Sequence, residues 1–281
     1  MKKILLGLVA ISAFSFNIQA QEAADKKIQA GLVAGFGLNF QKMDTKLLAT
    51  NGVGTDLTIG ANINFSFNET IGFCTGVEFD FESLKYKEGI SPVYYRYSDS
   101  KILTSEEASS GEYDDNELFR LTERKQKPIY LTVPTMILFR TNFIGYVRYF
   151  GKFGLRSSVL LSNKTFDTGM NFNGDINPVI EAGLGMTESG TNDNMTSSKS
   201  EMIFFKSAVG LAGGAEWNFI GSTSLVAEIG YYYGFMPLYW NKSANDRYLF
   251  NTDDFGNATE EDYFSNKARQ SQLQLKVSIL F

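Results

Sequence analysis

The 281-residue chain has no histidine, a single cysteine and, past its N-terminal segment, no run of about 20 apolar residues. Each absence removes a class of function. Histidine is the side chain whose ordinary pKa best suits proton transfer near neutrality, so its absence argues against most acid–base catalysis. One cysteine and no histidine leave no ordinary zinc or copper site, and Cys74 has no partner for an internal disulfide. The formal charge of −5 disfavours nucleic acid, which calls for clustered basic surface. The acidic runs 112–117 and 253–262 lack the ligand spacing of an EF-hand and read as solvated loop acids. Gly210 to Gly214 opens no helix, so it is a poor phosphate cradle. No cofactor and no metal are expected.

The N-terminus carries Lys2 and Lys3, an apolar run over 4–16, and Ile18-Gln19-Ala20 as a small-residue cleavage site. This predicts a secretory signal peptide over 1–20 and a polar periplasmic leader over 21–27. The rest, 28–281, is a single barrel-forming region. What the chain has in plenty is 24 Phe, 14 Tyr and 26 Gly, with a composition that is 43% hydrophobic and a slightly negative mean hydropathy.

Alternation explains that balance. In the last eleven residues Leu273, Leu275, Val277, Ile279 and Phe281 form one row, and Gln272, Gln274, Lys276 and Ser278 the other. The same period of two predicts strands over 28–40, 55–67, 71–84, 127–140, 146–161, 201–217 and 224–234, eight in all with the last. Connections after the second, fourth and sixth are short; those after the first, third, fifth and seventh are longer. The weak alternation over 176–186 leaves a further strand open. An even antiparallel barrel with short periplasmic turns and long outer loops has this rhythm.

Row contents say which face is inside. A soluble barrel would have to enclose the bulky Phe/Ile/Leu rows, which overfill eight strands; the rows rich in Gly, Ala and Ser fit a narrow lumen. By parity the lumen also receives the acids Asp56, Glu78, Asp80, Glu82, Glu216 and Glu228 and the bases Arg140, Arg148, Lys152, Arg156, Lys206 and Lys276. The signs balance, as buried charges require. The expected fold is therefore all-β, an eight-stranded antiparallel transmembrane β-barrel in the outer membrane, touching outer-membrane lipid and the barrel-assembly machinery. Familiar barrel enzymes of that membrane rely on a catalytic histidine, so the chain is read as no enzyme.

Glu78, Asp80 and Glu82 share one face of one strand, opposite a cluster of Arg140, Arg148, Lys152 and Arg156 on the next two. Two readings stand: a gate or ion path, and a permanent plug of cross-strand ion pairs. In the loops Tyr94, Tyr95, Tyr97, Tyr239 and Trp240 are candidate partner contacts, since exposed aromatics anchor interfaces; packing of the loops on themselves is the alternative. The terminal Phe281 matches the C-terminal aromatic that the assembly machinery reads.

Tyr130-Leu-Thr-Val-Pro-Thr-Met-Ile-Leu-Phe139 resembles the Tyr-Leu-x-Ile-Pro-Leu strand of PorT-like outer-membrane β-barrel proteins. Gly210-Leu-Ala-Gly-Gly-Ala-Glu-Trp217 resembles the Gly-x-Gly-x-Glu-aromatic strand of that group, and the ending its last strand. Thr135 departs from the Leu common after the proline. The resemblance implies the eight-stranded fold and the outer-membrane location; the role of its named member in protein secretion does not follow from a barrel match. The function expected is a structural or interaction scaffold acting through its outer loops on an extracellular or envelope protein or glycan. The alternatives are a narrow pore or small-solute transporter, and a component of a secretion or assembly complex.

Overall fold

Alternating side chains commit most of the chain to strands, and the pairing of those strands closes a ring. The computed structural model describes residues 27–98, 101–112, 117–172, 187–192, 201–220, 223–240, 246–252 and 258–281. The signal peptide over 1–20, most of the leader and the segment 176–186 lie outside the described residues. The elements are β1 (Ile28–Met43), β2 (Leu48–Thr50), β3 (Gly54–Ser66), β4 (Ile71–Glu88), β5 (Tyr94–Ser98), β6 (Lys101–Ile102), α1 (Ser105–Ser109), β7 (Glu117–Arg140), β8 (Val147–Phe172), β9 (Thr187–Asn192), β10 (Phe205–Ile220), β11 (Thr223–Gly234) and β12 (Ala268–Leu280).

Antiparallel neighbours run β1, β3, β4, β7, β8, β10, β11, β12 and back to β1, so eight strands close the barrel. The remaining strands hang on its outer rim: β2 on β4, β5 on β7, β6 on β5, and β9 on β8. The short helix α1 begins in a reciprocal cap between Thr104 and Glu107. No described helix is long and apolar enough to cross a membrane; the crossing is made by strands.

Orientation of the two rows follows from size. Leu32, Phe36, Leu57, Ile59, Leu211, Ile229, Leu275 and Val277 all point outward and are exposed on the wall. Asn39, Thr58, Asp80, Thr132 and Gln274 point inward and are buried. Cys74 is buried in the lumen against Met136 and Tyr232, as parity predicts. The turn after β7 reverses through Gly145, whose φ of +67° is a left-handed conformation that costs glycine little.

Strand ends differ from the sequence reading: three run further outward, while β10 begins at Phe205 instead of 201. β4 continues to Glu88 instead of 84, β7 begins at Glu117 instead of 127, and β8 runs to Phe172 instead of 161. These extensions carry Lys, Glu and Arg on the outer row, because there the wall has left the hydrocarbon and stands in water. The apolar alternation that marks a lipid-facing strand therefore stops while the hydrogen-bonded ladder goes on. Residues 201–204 precede β10; there Met202, itself buried, bridges Tyr239.

A charge on the apolar belt should be costly where the same charge on the extension is not. Leu155→Arg, near the middle of the lipid-facing row of β8, should destabilise the barrel by about 2–4 kcal/mol. Thr168→Arg, on the outer extension of the same strand, should change stability by no more than about 0.5 kcal/mol. Urea unfolding in lipid vesicles reads both.

Candidate functional site

The lumen is the most densely charged region of the molecule, and register dictates its pairing. Arg148 stands directly opposite Glu216 on β10 and donates to it from Nε at 2.7 Å and from a terminal nitrogen at 2.9 Å. Lys152 donates to Glu228 at 2.6 Å. Arg156 donates to Glu78 at 2.8 Å and to Asp80 at 2.9 Å. Lys276 reaches Glu78 at 2.7 Å, and Lys206 reaches Glu82 at 2.7 Å.

Neutral donors take up several of the remaining lone pairs. Asp80 accepts from Thr58 and Thr132, each at 2.6 Å, and Glu82 accepts from Gln272 at 2.7 Å. Asp56 accepts from Gln274. Arg140 donates to Ser66 and, at 3.4 Å, to Gln29. One backbone position makes the reach of Lys276 feasible. A Cβ at Gly35 would lie 2.9 Å from Lys276 Cγ, so glycine on β1 leaves the corridor through which that side chain extends.

The acids at 78–82 are thus neutralised by a different set from the expected one. Of Arg140, Arg148, Lys152 and Arg156, Arg156 alone ion-pairs with them among the described residues. Register gives the reason: Glu78 pairs with Thr132, and Thr132 with Ser158, so these acids lie beside the stretch of β8 around 156–160. Arg148 and Lys152 sit several residues nearer the periplasmic end. Lys206 and Lys276, from β10 and β12, complete the cluster across the lumen.

Beyond the lumen charges lies a second polar network. Arg124 is 1% exposed and forks onto Asp167 at 2.7 and 2.8 Å, with a further contact to Glu201 at 3.2 Å. Glu201 also accepts from Tyr86, Asn266 and, at 2.6 Å, Gln126. Tyr239 donates to Gln126 at 2.7 Å and accepts from Gln41 at 2.8 Å. Around this network Leu48, Leu84, Val93, Ile102, Phe119, Leu121, Leu238 and Leu249 form an apolar core that fills the outer end of the barrel. Burial, with Glu201 nearby, pushes the phenol of Tyr248 in the last loop above its ordinary value.

Part of this network could be found by continuing a row. Even-numbered positions of β7 face inward from Arg140 to Tyr130, and the same parity reaches Gln126 and Arg124. On β4 it leads from Glu82 to Tyr86. Asp167 is hidden by a bulge: β8 pairs Leu160 with Tyr130 and Ser162 with Ile129, which moves the inward row from even to odd numbers. Glu201 carries no periodic signal.

The loop aromatics require correction. Tyr94 and Tyr95 are buried, Tyr94 against Phe250 at 5.7 Å and Tyr95 against Phe119 at 5.0 Å between ring centroids. Tyr97 is half-buried, edge-on to Tyr95, and Tyr239 is fully buried beside Tyr86. These rings pack against one another and the apolar residues of the outer core, and the Tyr239 hydroxyl bonds Gln126 and Gln41 there. Trp240 alone of the five is exposed, at 44%. Phe281 lies at the periplasmic rim, its N–H donating to the Ala30 carbonyl at 2.8 Å. Among the described residues no acidic, cysteine or histidine cluster has the makings of a metal site.

Removing Arg124 should loosen the outer core without opening the barrel. Arg124→Met leaves Asp167 and Glu201 buried without their cation, at a cost of about 3–5 kcal/mol. Limited proteolysis should then cut within the outer segments of a barrel that keeps its heat-modifiable gel mobility, whereas the unaltered protein resists.

No curated protein matches the chain. Similar solved structures include Ail, the attachment invasion locus protein of Yersinia pestis, in complex with the heparin analogue sucrose octasulfate. It is 10% identical over 91% of this chain and 100% of that one, with a TM-score of 0.33. OprG from Pseudomonas aeruginosa is 9% identical over 94% and 98%, with a TM-score of 0.37. Neisserial surface protein A is 11% identical over 91% and 98%, with a TM-score of 0.30. Likeness this distant carries no functional argument. The closed ring of strands, the outward apolar belt and a family match over residues 19–239 agree with one another, and the chain belongs to the outer membrane protein beta-barrel domain family and resides in the outer membrane.

Proposed function

We propose that this protein is a closed, non-enzymatic scaffold that holds an ordered outer head for an extracellular or envelope protein or glycan. One observation carries the reading: the lumen is spanned by ion pairs from Arg148–Glu216 to Lys206–Glu82, and its outer end is filled by the Arg124 network and its apolar surround. A gate needs charges that can part, and these pairs are buried, with Lys206 alone partly so; separating buried pairs costs several kcal/mol. A cavity of about 20 Å³ beside Arg156, Lys206 and Tyr232 has room for about one water molecule.

Recognition then falls to what the head exposes. Ile90, Phe204 and Trp240 are among its outward apolar side chains, at 76%, 61% and 44% exposure. Residues 91–117 are unsuited to deletion as a probe, because Val93, Tyr95 and Ile102 from that segment are part of the outer core. A PorT-like assignment rests on the Tyr130–Phe139 and Gly210–Trp217 strand motifs.

Conductance across a planar bilayer tests closure. The refolded protein should be silent, and Arg148→Ala should be silent too while unfolding more readily; reproducible channel steps whose ion selectivity changes in Arg148→Ala would favour the pore instead. A photo-reactive side chain placed at Trp240 tests the scaffold. On intact cells it should give discrete cross-linked species that are absent when the same group replaces Leu155, and the same species from both positions would count against recognition by the head.

A further inference from the structure

The outer wall carries a basic patch that neither the lumen nor the head explains. On β4 the outward apolar row ends at Phe81 and continues with Ser83, Lys85 and Lys87. On β7 it ends at Ile129, and the next outward residues are Lys127 and Lys125; on β8 it ends at Leu161, followed past the bulge by Lys164 and Phe166. These strands are neighbours. Lys85 faces Lys125, Lys127 faces Lys164, and Lys87 faces Glu123.

Two directly opposed like-charged pairs in adjacent ladders are unfavourable by themselves. None of the five lysines makes an ion pair with a described residue, and Lys127 is steadied by the Phe166 ring, its Nζ 5.1 Å from the ring centroid. A chain of net charge −5 has thus gathered five cations, with one acid among them, into the first turns of wall beyond the hydrocarbon belt. Lys42 and Arg269 face each other in the same position relative to the belt on β1 and β12. The rim formed by the short turns differs: its exposed charges among the described residues are Lys27 and Glu69.

We infer that the β4–β7–β8 patch binds the phosphate-bearing headgroups of outer-leaflet lipid. Placement selects the lipid over a soluble anion. The lysine stems rise from Phe81, Ile129 and Leu161, which lie against acyl chains, so one lipid can satisfy the apolar row with its tails and the cations with its phosphates. Opposed lysines also suit a headgroup with two separated phosphates, each bridging a pair.

Native mass spectrometry of the refolded chain in neutral detergent, with lipid A as the added probe, tests this. Lipid A should be retained with an affinity that falls as salt rises. The double variant Lys125→Gln with Lys127→Gln should bind about 30-fold more weakly, and Lys85→Gln with Lys164→Gln should do the same. Lys27→Gln on the opposite rim should bind as the unaltered protein does. Equal retention of lipid A by both double variants would overturn the inference. So would equal retention of phosphatidylcholine, or equally tight binding of inorganic phosphate or a soluble sulfated oligosaccharide to the same lysines. Heat-modifiable gel mobility checks that each variant is folded.

Discussion

A charged side chain that points into an eight-stranded barrel has almost no water to turn to. The enclosed space holds little more than the side chains themselves, so each cation must meet a carboxylate or a neutral acceptor supplied by another strand. This condition arranges the rest of the molecule. It sets Arg148 against Glu216 across a ladder, draws Lys276 over Gly35 to Glu78, and brings Thr58 and Thr132 to the two Asp80 oxygens beside Arg156. A register slip of one residue would turn every member of one row into the lipid and leave its partners unneutralised. The lumen charges thus fix the register of the wall.

The same condition accounts for the outer head. Where the wall rises above the membrane, apolar residues again face inward, from Leu84 and Leu121 to Leu249, and they enclose the Arg124–Asp167–Glu201 group. Below, polar groups fill the lumen and apolar groups face lipid; above, an apolar interior faces away from water. The chain passes between these arrangements within single strands. The bulge in β8 at the level of Tyr130 falls where the change occurs.

Much of the wall was legible in the sequence because lipid imposes a strict alternation. The rows around Phe36, Leu57, Leu211 and Val277, the count of eight and the inward position of Glu78, Asp80 and Arg156 all follow from it. The pairing within the lumen was less accessible, since it depends on how far neighbouring strands are offset; the assignment of Arg148 to the acids at 78–82 failed on that offset. Legibility was lowest where the wall leaves the membrane. Lys85 and Lys125 read as loop because charge on the outer face removed the apolar signal, and Asp167 changed parity across a bulge. Tyr94, Tyr95 and Tyr239 read as exposed because polar-rich loops give no hint that they will fold over one another.

The overhang of the wall is uneven. β7 and β8 pair from Leu118 with Phe172 down to Arg140 with Phe150, while β11 ends at Gly234 and β3 begins at Gly54. The head therefore stands on one side of the ring, like a flag on its staff. A pull on it from outside the cell would pass into the barrel along one long hairpin as shear, shared among many parallel hydrogen bonds, and not as a peeling force on a single rung. Such a mount can carry mechanical load at the cell surface while the far side of the ring stays free to adjust to the membrane.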